Sequence, residues 1–180
     1  MSWSLRAKKA RLPLGFLLGA LYLIFARPTP MSFVVGGLIA LAGLIARGWA
    51  AGHIEKNDRL ATSGPYAHVR NPLYFGSFLI ACGFAIAAHW SLILAVIAFF
   101  VLIYAPTMER ERNNIRGRFP DAYDAWERNV PAFVPRLTPW RPADHEHRPF
   151  SFDLYIKHAE WKALLAYAAA MLWLYFRMRP

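Results

Sequence analysis

Long hydrophobic blocks alternate with polar segments along this chain. The block at residues 73–105 would make a helix of about 50 Å, longer than a hydrocarbon layer of about 30 Å. It therefore predicts two helices joined by a hairpin at His89-Trp90-Ser91. Continuous apolar runs favour helices over barrel strands, because backbone groups in lipid must pair internally. The pattern predicts an all-α integral membrane bundle of about five segments: 12–26, 32–51, 73–88, 91–105 and 160–176, the last one short.

Two polar segments, residues 52–72 and 106–150, separate these blocks. The second is predicted to contain a helix at 107–128 and a Pro-rich stretch at 130–149 with little regular structure. A last helix is predicted to start at Ser151, whose hydroxyl suits an N-cap. We expect all of this to form one membrane domain.

Composition supports a membrane protein. The chain of 180 residues is 57% hydrophobic and carries a net charge of +10, and the Lys and Arg residues flank the apolar blocks. This is the positive-inside arrangement, so membrane lipids are predicted as partners and nucleic acid is not. It places the amino terminus and both polar segments on the cytoplasmic side. The single Cys82 excludes an intrachain disulfide.

Chemistry-bearing residues concentrate in the stretch LATSGPYAHVRNPLYFG, residues 60–76. Gly64 and Pro65 indicate a turn, and Pro72 suits the first position of a helix. A polar loop that leads into an apolar helix favours a site at the membrane boundary. A basic loop with interfacial Tyr and Arg anchors would show the same spacing.

This stretch resembles the signature of the isoprenylcysteine carboxyl methyltransferase and phospholipid N-methyltransferase superfamily. The matching residues are Leu60, Thr62, Gly64, Tyr66, Arg70, Asn71, Pro72, Tyr74 and Gly76. A second resemblance follows at Glu111, Ile115, Phe119, Tyr123, Trp126, Val130 and Pro131. The sequence departs from the pattern at Asn71, where many members have His, and at Arg112 and Pro120.

The resemblance implies S-adenosyl-L-methionine as cofactor, held by loops and helix ends on the cytoplasmic face. It implies a lipid-like or small hydrophobic acceptor that enters from the bilayer. An Arg suits the methionyl carboxylate, and aromatic faces and carboxylates suit a sulfonium. The candidate cofactor-binding residues are Gly64, Pro65, Tyr66, Val69, Arg70, Asn71, Pro72, Tyr74, Gly76, Glu109 and Glu111.

Arg70, Glu111 and His53 are the candidate catalytic residues, with His53 as a general base if the acceptor is an ammonium. A helix-end His bonded to backbone is the alternative for His53, and pairing with surface Arg residues is the alternative for Glu109. Arg116 and Arg118 are interpreted as solvated or lipid-headgroup contacts.

Other functions remain open. Without G-x-G-x-x-G after a strand, a soluble Rossmann methyltransferase is excluded. A membrane reductase that uses NADPH and a non-catalytic membrane protein are the alternatives. The acceptor is a lipid amine, a prenylated thiol-carboxylate, or a small hydrophobic amine or thiol. No metal is predicted, because Asp144-His145-Glu146-His147 are adjacent in a loop and no further cluster completes a shell.

Overall fold

The computed structural model describes residues 3–55, 59–141 and 148–178, and all regular structure in those ranges is helical. This confirms the all-α prediction for the described part. The helices are α1 (Trp3–Phe25), α2 (Pro30–Ala51), α3 (Pro72–Ala88), α4 (Leu92–Phe99), α5 (Ala105–Arg118), α6 (Pro120–Asn129), α7 (Phe152–Lys157) and α8 (Trp161–Arg177). A 3₁₀ turn spans Gly64–Ala67, and a π-helical segment, Phe100–Tyr104, joins α4 to α5.

Glycines bring α2 and α3 into close contact. A Cβ on Gly36 would lie 2.4 Å from the Gly83 carbonyl oxygen, and one on Gly43 would lie 2.5 Å from that of Gly76. Such separations leave no room for a side chain, so the two backbones touch at both levels. Gly36 and Gly43 therefore serve the packing of α2 against α3.

The last helix, α8, runs antiparallel to α2 along most of its length. At one end, Arg47 on α2 forms an ion pair with Glu160, the residue before α8. Further along, the Tyr167 hydroxyl donates to the Gly37 carbonyl at 3.1 Å. A helix of 17 residues extends about 25 Å at 1.5 Å per residue.

Among the residues that the structure describes, two helical stretches are long and apolar enough to cross a membrane, Pro30–Ala51 and Leu92–Arg118. The apolar part of α1, Leu12–Phe25, and all of α3 are shorter apolar helices. Large apolar side chains face outward on α1, α2 and α4, for example Phe16, Leu38 and Leu94. Apolar surface of this kind suits a lipid environment.

The core has two parts. An apolar cluster joins α3, α4 and α8 through buried Ala85, Val96 and Leu174. A second cluster lies under the polar end of the bundle and contains Tyr66, Tyr123, Trp126 and Val130. The candidate site is built on this second cluster.

Two predicted helices are interrupted. The helix predicted at 107–128 breaks at Phe119 (φ −133°, ψ 61°), because Pro120 disfavours the α conformation in the residue before it. The helix predicted from Ser151 splits into α7 and α8 at Ala159, which has φ 55°. The fourth segment was predicted to end at residue 105, yet the helix continues to Arg118.

The π-helical segment explains how a proline is accommodated inside this long helix. Pro106 has no amide hydrogen, so it cannot donate to a carbonyl one turn earlier. The Ala105 amide instead donates to the Phe100 carbonyl, five residues back. The extra residue in this turn lets the helix pass the proline.

Several local predictions are confirmed. The 89–91 hairpin separates α3 from α4, Pro72 opens α3, and residues 131–141 lack regular structure. The Ser151 hydroxyl accepts from the Leu154 amide at 3.3 Å, as an N-cap does. The segment Asp144–His147, interpreted as a metal-free loop, lies outside the described residues.

Candidate functional site

The part of the stretch 60–76 that precedes α3, residues 60–71, is called the signature loop. It contains a left-handed turn at Gly64, which has φ 57°. Few other residues adopt this conformation without strain. A Cβ there would also lie 2.4 Å from Cδ2 of His53, so the position suits glycine for two reasons. The 3₁₀ turn that follows places the aromatic ring of Tyr66 in the core.

An irregular segment, residues 131–140, holds the signature loop in place and is called the strap. The Arg70 amide donates to the Pro131 carbonyl at 2.9 Å, and the strap amide of Trp140 donates to the Ala67 carbonyl at 2.9 Å. The Asn71 side chain also donates to the strap, to the carbonyl of Ala132. Asn71 thus makes a structural contact, and its role in cofactor binding stays a prediction.

The two segments that resemble the superfamily meet here. The Trp126 indole on α6 donates to the Tyr66 carbonyl at 2.8 Å. The Tyr74 hydroxyl on α3 donates to the Glu111 carboxylate on α5 at 2.8 Å. Residues about forty to sixty positions apart are therefore held side by side.

A cavity of about 380 Å³, the main cavity, lies between these segments. Tyr66, Arg70 and Glu111 line it, so three predicted site residues converge. The rest of its lining combines apolar side chains with polar or charged ones. The apolar residues are Ile54, Leu60, Ala61, Ile115, Phe119 and Trp126, and the polar or charged residues are Glu55, Arg59, Asn114 and Arg118. Its volume falls in the usual range for small-molecule sites.

A second cavity of about 360 Å³ also borders Arg70. Its polar lining comes from Asn71, Glu109, Arg112, Tyr123 and Glu127, beside Arg70 itself. The predicted residues are therefore divided between two neighbouring cavities, and Arg70 belongs to both.

The Arg70 guanidinium is partly satisfied and partly not. Its Nη1 donates to the Tyr123 hydroxyl at 3.0 Å and to the Glu127 carboxylate. Its Nε is buried and has no hydrogen-bond partner among the described residues. Arg112 binds both oxygens of Glu127, and its pairing is the first cause that lowers the pKa of that carboxyl.

The Tyr66 hydroxyl is the other unsatisfied polar group at the main cavity. Tyr66 is 5% exposed, and its hydroxyl has no partner among the described residues. Burial raises the pKa of this phenol, and the nearby Glu111 carboxylate raises it further. A buried polar group without a partner costs stability and suggests a role in binding.

The other predicted residues take positions around this centre. The His53 ring bonds the Trp49 carbonyl at 2.9 Å and lies against Gly64, as the alternative of a helix-end His describes. Glu109 pairs with Arg112 at 2.9 Å. The space beside Gly76 is filled by α2, because a Cβ would lie 2.6 Å from Cγ of Arg47.

Pro65 and Val69 are buried around the 3₁₀ turn, and Pro72 opens α3. They shape the loop through their backbone conformation and packing. Arg118, interpreted as a solvated or lipid-headgroup contact, is exposed, and it also lines the main cavity. Arg116 pairs with Asp124 at the surface, in agreement with its interpretation as solvated.

Sequence reasoning missed several polar residues. Glu127 links Arg70 to Arg112, and no motif position marked it. Arg47 donates to Ser77 at 2.5 Å as well as to Glu160, so three helical regions share one polar cluster. Charged residues within apolar helices are rare, and that rarity at Arg47 was the available signal.

Among residues 3–55, 59–141 and 148–178, no group of three or more His, Cys, Asp or Glu residues could hold a metal ion. The side chains that line the main cavity are instead mainly apolar and aromatic, with Arg cations and two carboxylates. These groups suit a charged organic ligand.

Two curated proteins are similar in sequence to part of this chain. The chain is 33% identical over 116 residues to the cobalt-zinc-cadmium resistance protein CzcN of Cupriavidus metallidurans, covering 63% of this chain and 53% of that protein. It is 33% identical over 110 residues to the nickel-cobalt-cadmium resistance protein NccN of Alcaligenes xylosoxydans xylosoxydans, covering 59% and 51%. The chain thus spans about half the length of these curated relatives. No solved structure matches.

The family model for phospholipid methyltransferases matches residues 30–121, about half of the chain. This range contains α2, the signature loop, α3 and α5, and therefore both Arg70 and Glu111. The chain belongs to the phospholipid methyltransferase family.

Proposed function

We propose that this protein transfers a methyl group from S-adenosyl-L-methionine to a lipid or small hydrophobic amphiphile that enters from the bilayer. The observation that carries the proposal is the main cavity, where Tyr66 and Arg70 of the signature loop meet Glu111 of α5. Family membership favours methyl transfer as the chemistry. The combination of an Arg, a carboxylate and aromatic faces suits a ligand with both a carboxylate and a sulfonium.

The residues present fit this cofactor. Arg70 offers a buried Nε without a partner among the described residues, and Tyr66 offers a hydroxyl in the same state. Arg70 would bind the methionyl carboxylate, and Glu111 and the aromatic faces would favour the cation. When bound, the cofactor supplies a methyl group on a positively charged sulfur. Positioning two reactants accounts for much of such a rate enhancement.

An apolar cavity supports an acceptor from the bilayer. It measures about 440 Å³ and is lined by side chains of α1, α3 and α8, among them Leu18, Phe84 and Ala166. One face of α1 contributes Gly15 and Gly19, where a Cβ would meet nothing within 4 Å. A hydrocarbon chain is the ligand that such a lining favours.

The same proposal places the protein in a bacterial inner membrane with five crossings. Besides the two long apolar stretches, α1, α3 and α8 supply shorter ones. The close run of α8 beside α2 supports a fifth crossing. The basic segments around the main cavity favour a cytoplasmic position for it and for the amino terminus.

A ligand titration of the purified protein tests the proposal. S-adenosylhomocysteine should stabilise the fold, by about 2.7 kcal/mol at a hundred times its Kd. NADPH should produce no shift. A clear shift with NADPH and none with S-adenosylhomocysteine would favour a reductase instead.

The names of the relatives add one arm to this titration. CzcN and NccN are named for metal resistance, so Co²⁺, Zn²⁺ and Cd²⁺ should each be titrated alone. We expect no saturable stabilisation by these ions. Saturable stabilisation by a metal, with none by S-adenosylhomocysteine, would point to metal binding as the function.

A further inference from the structure

Glu127 on α6 joins two arginines that come from different parts of the chain. Arg112 on α5 donates from Nε at 2.8 Å to one carboxylate oxygen and from Nη2 at 3.1 Å to the other. Arg70, in the loop before α3, donates from Nη1 to the first of these oxygens. The side chains of Arg70 and Glu127 are 14% and 19% exposed. Partial burial of this kind makes the geometry of charged hydrogen bonds matter more than at an open surface.

These contacts occupy only part of the Arg70 guanidinium. The group has five N–H donors in a rigid plane, and Nε and Nη2 form a fork that matches a carboxylate. Glu127 and Tyr123 both bond Nη1, whereas Nε has no partner among the described residues. The bridge therefore fixes the plane of the guanidinium. It leaves the Nε–Nη2 edge without a hydrogen-bond partner among the described residues.

The positions of the two cavities indicate which of them the Nε–Nη2 edge of Arg70 faces. Tyr123 and Glu127 line the second cavity and do not line the main cavity. Arg70 lines both. With Nη1 held toward the second cavity, the opposite edge of the guanidinium remains for a ligand in the main cavity.

We propose that Glu127 is a positioning residue, which holds Arg70 so that its Nε–Nη2 edge binds the carboxylate of the cofactor's amino-acid part. This inference rests on the proposed function. Arg112 serves the bridge by fixing Glu127 from the other side. A purely structural Glu127 would tie α6 to α5 through Arg112 and would have no influence on which ligand groups are recognised.

Two ligands separate these roles. S-adenosylhomocysteine carries the carboxylate, and 5′-methylthioadenosine lacks the amino-acid part that bears it. Glu127→Gln should weaken S-adenosylhomocysteine about tenfold and leave 5′-methylthioadenosine within about twofold. The readout is the ratio of the two affinities, measured by calorimetry, because a smaller folded fraction changes both affinities alike. Equal weakening of both ligands, or of neither, would overturn the positioning role.

A double-mutant cycle tests whether Glu127 acts through Arg70. Arg70→Ala alone should weaken S-adenosylhomocysteine about ten- to a hundredfold. Adding Glu127→Gln should then have no further effect, because the side chain that it positions is gone. If the two losses simply multiply, Glu127 acts independently of Arg70 and the inference fails.

Asp124→Asn is the matched control. Asp124 lies on the same helix, pairs with Arg116 of α5, and does not line the main cavity. The substitution removes a carboxylate and an α5–α6 ion pair. It should nevertheless leave the ratio of the affinities for S-adenosylhomocysteine and 5′-methylthioadenosine unchanged. A shift in the ratio equal to that of Glu127→Gln would overturn the inference.

Glu127→Asp provides a second variant if the amide does not fold. Aspartate keeps the charge but is one methylene shorter. The ratio of the two ligand affinities should therefore lie between that of the wild type and that of Glu127→Gln. If Glu127→Gln does not fold and Glu127→Asp shows the same affinity ratio as the wild type, Glu127 has a structural role and the inference is overturned. If the wild type binds neither ligand, the proposed function itself fails, whatever the variants do.

Discussion

Two polar side chains at the main cavity are buried at some cost to stability. The Tyr66 hydroxyl and the Arg70 Nε are buried without partners among the described residues. A buried polar group left unsatisfied costs about 1–3 kcal/mol. Two such groups at one cavity are explained most simply if a ligand satisfies both.

Tyr66→Phe separates these two effects. It removes the hydroxyl but keeps the ring that packs on Trp126 and Val130. The unliganded protein should become more stable by about 1–3 kcal/mol, and the affinity for S-adenosylhomocysteine should fall about fivefold. Denaturant unfolding and calorimetry measure the two quantities. A loss of stability in the unliganded variant would mean that the hydroxyl already has a partner.

The Glu127 bridge predicts a pH dependence of stability. Hydrogen bonds from Arg112 and Arg70 lower the pKa of the Glu127 carboxyl in the folded protein. Its contribution is therefore present above the unfolded pKa of about 4.3 and is lost as the pH falls through the folded value. Thermal melting from pH 6 downward should show a shallower acid slope for Glu127→Gln than for the wild type. Identical slopes would contradict the account of the bridge.

Roles that depend on backbone conformation could be predicted from the sequence more readily than the partners of ion pairs. Gly64 and Pro72 follow from local rules, since one suits a left-handed turn and the other a first helical turn. Glu127 meets Arg70 only because α6 folds back on the signature loop. No local pattern encodes that contact.

Among the elements, the apolar runs predicted the helices and their hairpins. The predicted limits failed where a single residue changes the chain direction. Pro120 ends α5 at Phe119, and the left-handed Ala159 separates α7 from α8. The proline signal was visible in the sequence, whereas alanine gives no warning of a positive φ.

Glycine substitutions distinguish tight helix packing from open cavity. Gly36→Ala places a methyl group 2.4 Å from a backbone oxygen of α3 and should destabilise the protein by about 1–3 kcal/mol. A Cβ on Gly19 would meet nothing within 4 Å, and Gly19 lines the apolar cavity, so Gly19→Leu should be neutral or slightly stabilising. Denaturant unfolding in detergent measures both. Similar destabilisation by the two changes would show that α1 is packed as closely as α2.

Gly19→Leu also tests the proposed route of the acceptor. The added side chain would occupy the apolar cavity between α1, α3 and α8, far in sequence from the signature loop. Methyl transfer to a lipid-extractable product should fall severalfold, with S-adenosylhomocysteine affinity unchanged. Unchanged transfer would remove this cavity from the proposal.

For the whole molecule, the paired ends of α2 and α8 predict the topology. The five crossings of the proposed arrangement would place the amino and carboxyl termini on opposite sides of the membrane. Reporter fusions at the two termini, one kind active only in the cytoplasm and the other only outside it, should give opposite results. Both termini on the cytoplasmic side would mean that α8 does not cross.

The overall architecture could be predicted from hydrophobic blocks, but the cavity could not. Its lining is drawn from the signature loop, α5 and α6, which are adjacent only after the strap and the Trp126–Tyr66 hydrogen bond close the polar end. Resemblance to the superfamily linked Arg70 and Glu111 in advance. The division of the predicted site residues between two cavities, with Asn71 and Glu109 in the second one, depends on side-chain geometry, which spacing does not encode.

Calorimetric titration of S-adenosylhomocysteine into the wild type, Arg70→Ala and Arg116→Ala tests the central claim most directly. Arg116 is the matched arginine, because it pairs with Asp124 and does not line the main cavity. At fixed salt, the wild type and Arg116→Ala should bind alike, and Arg70→Ala should bind about ten- to a hundredfold more weakly. Equal, small effects of the two substitutions in folded protein would contradict the assignment of the main cavity as the cofactor site.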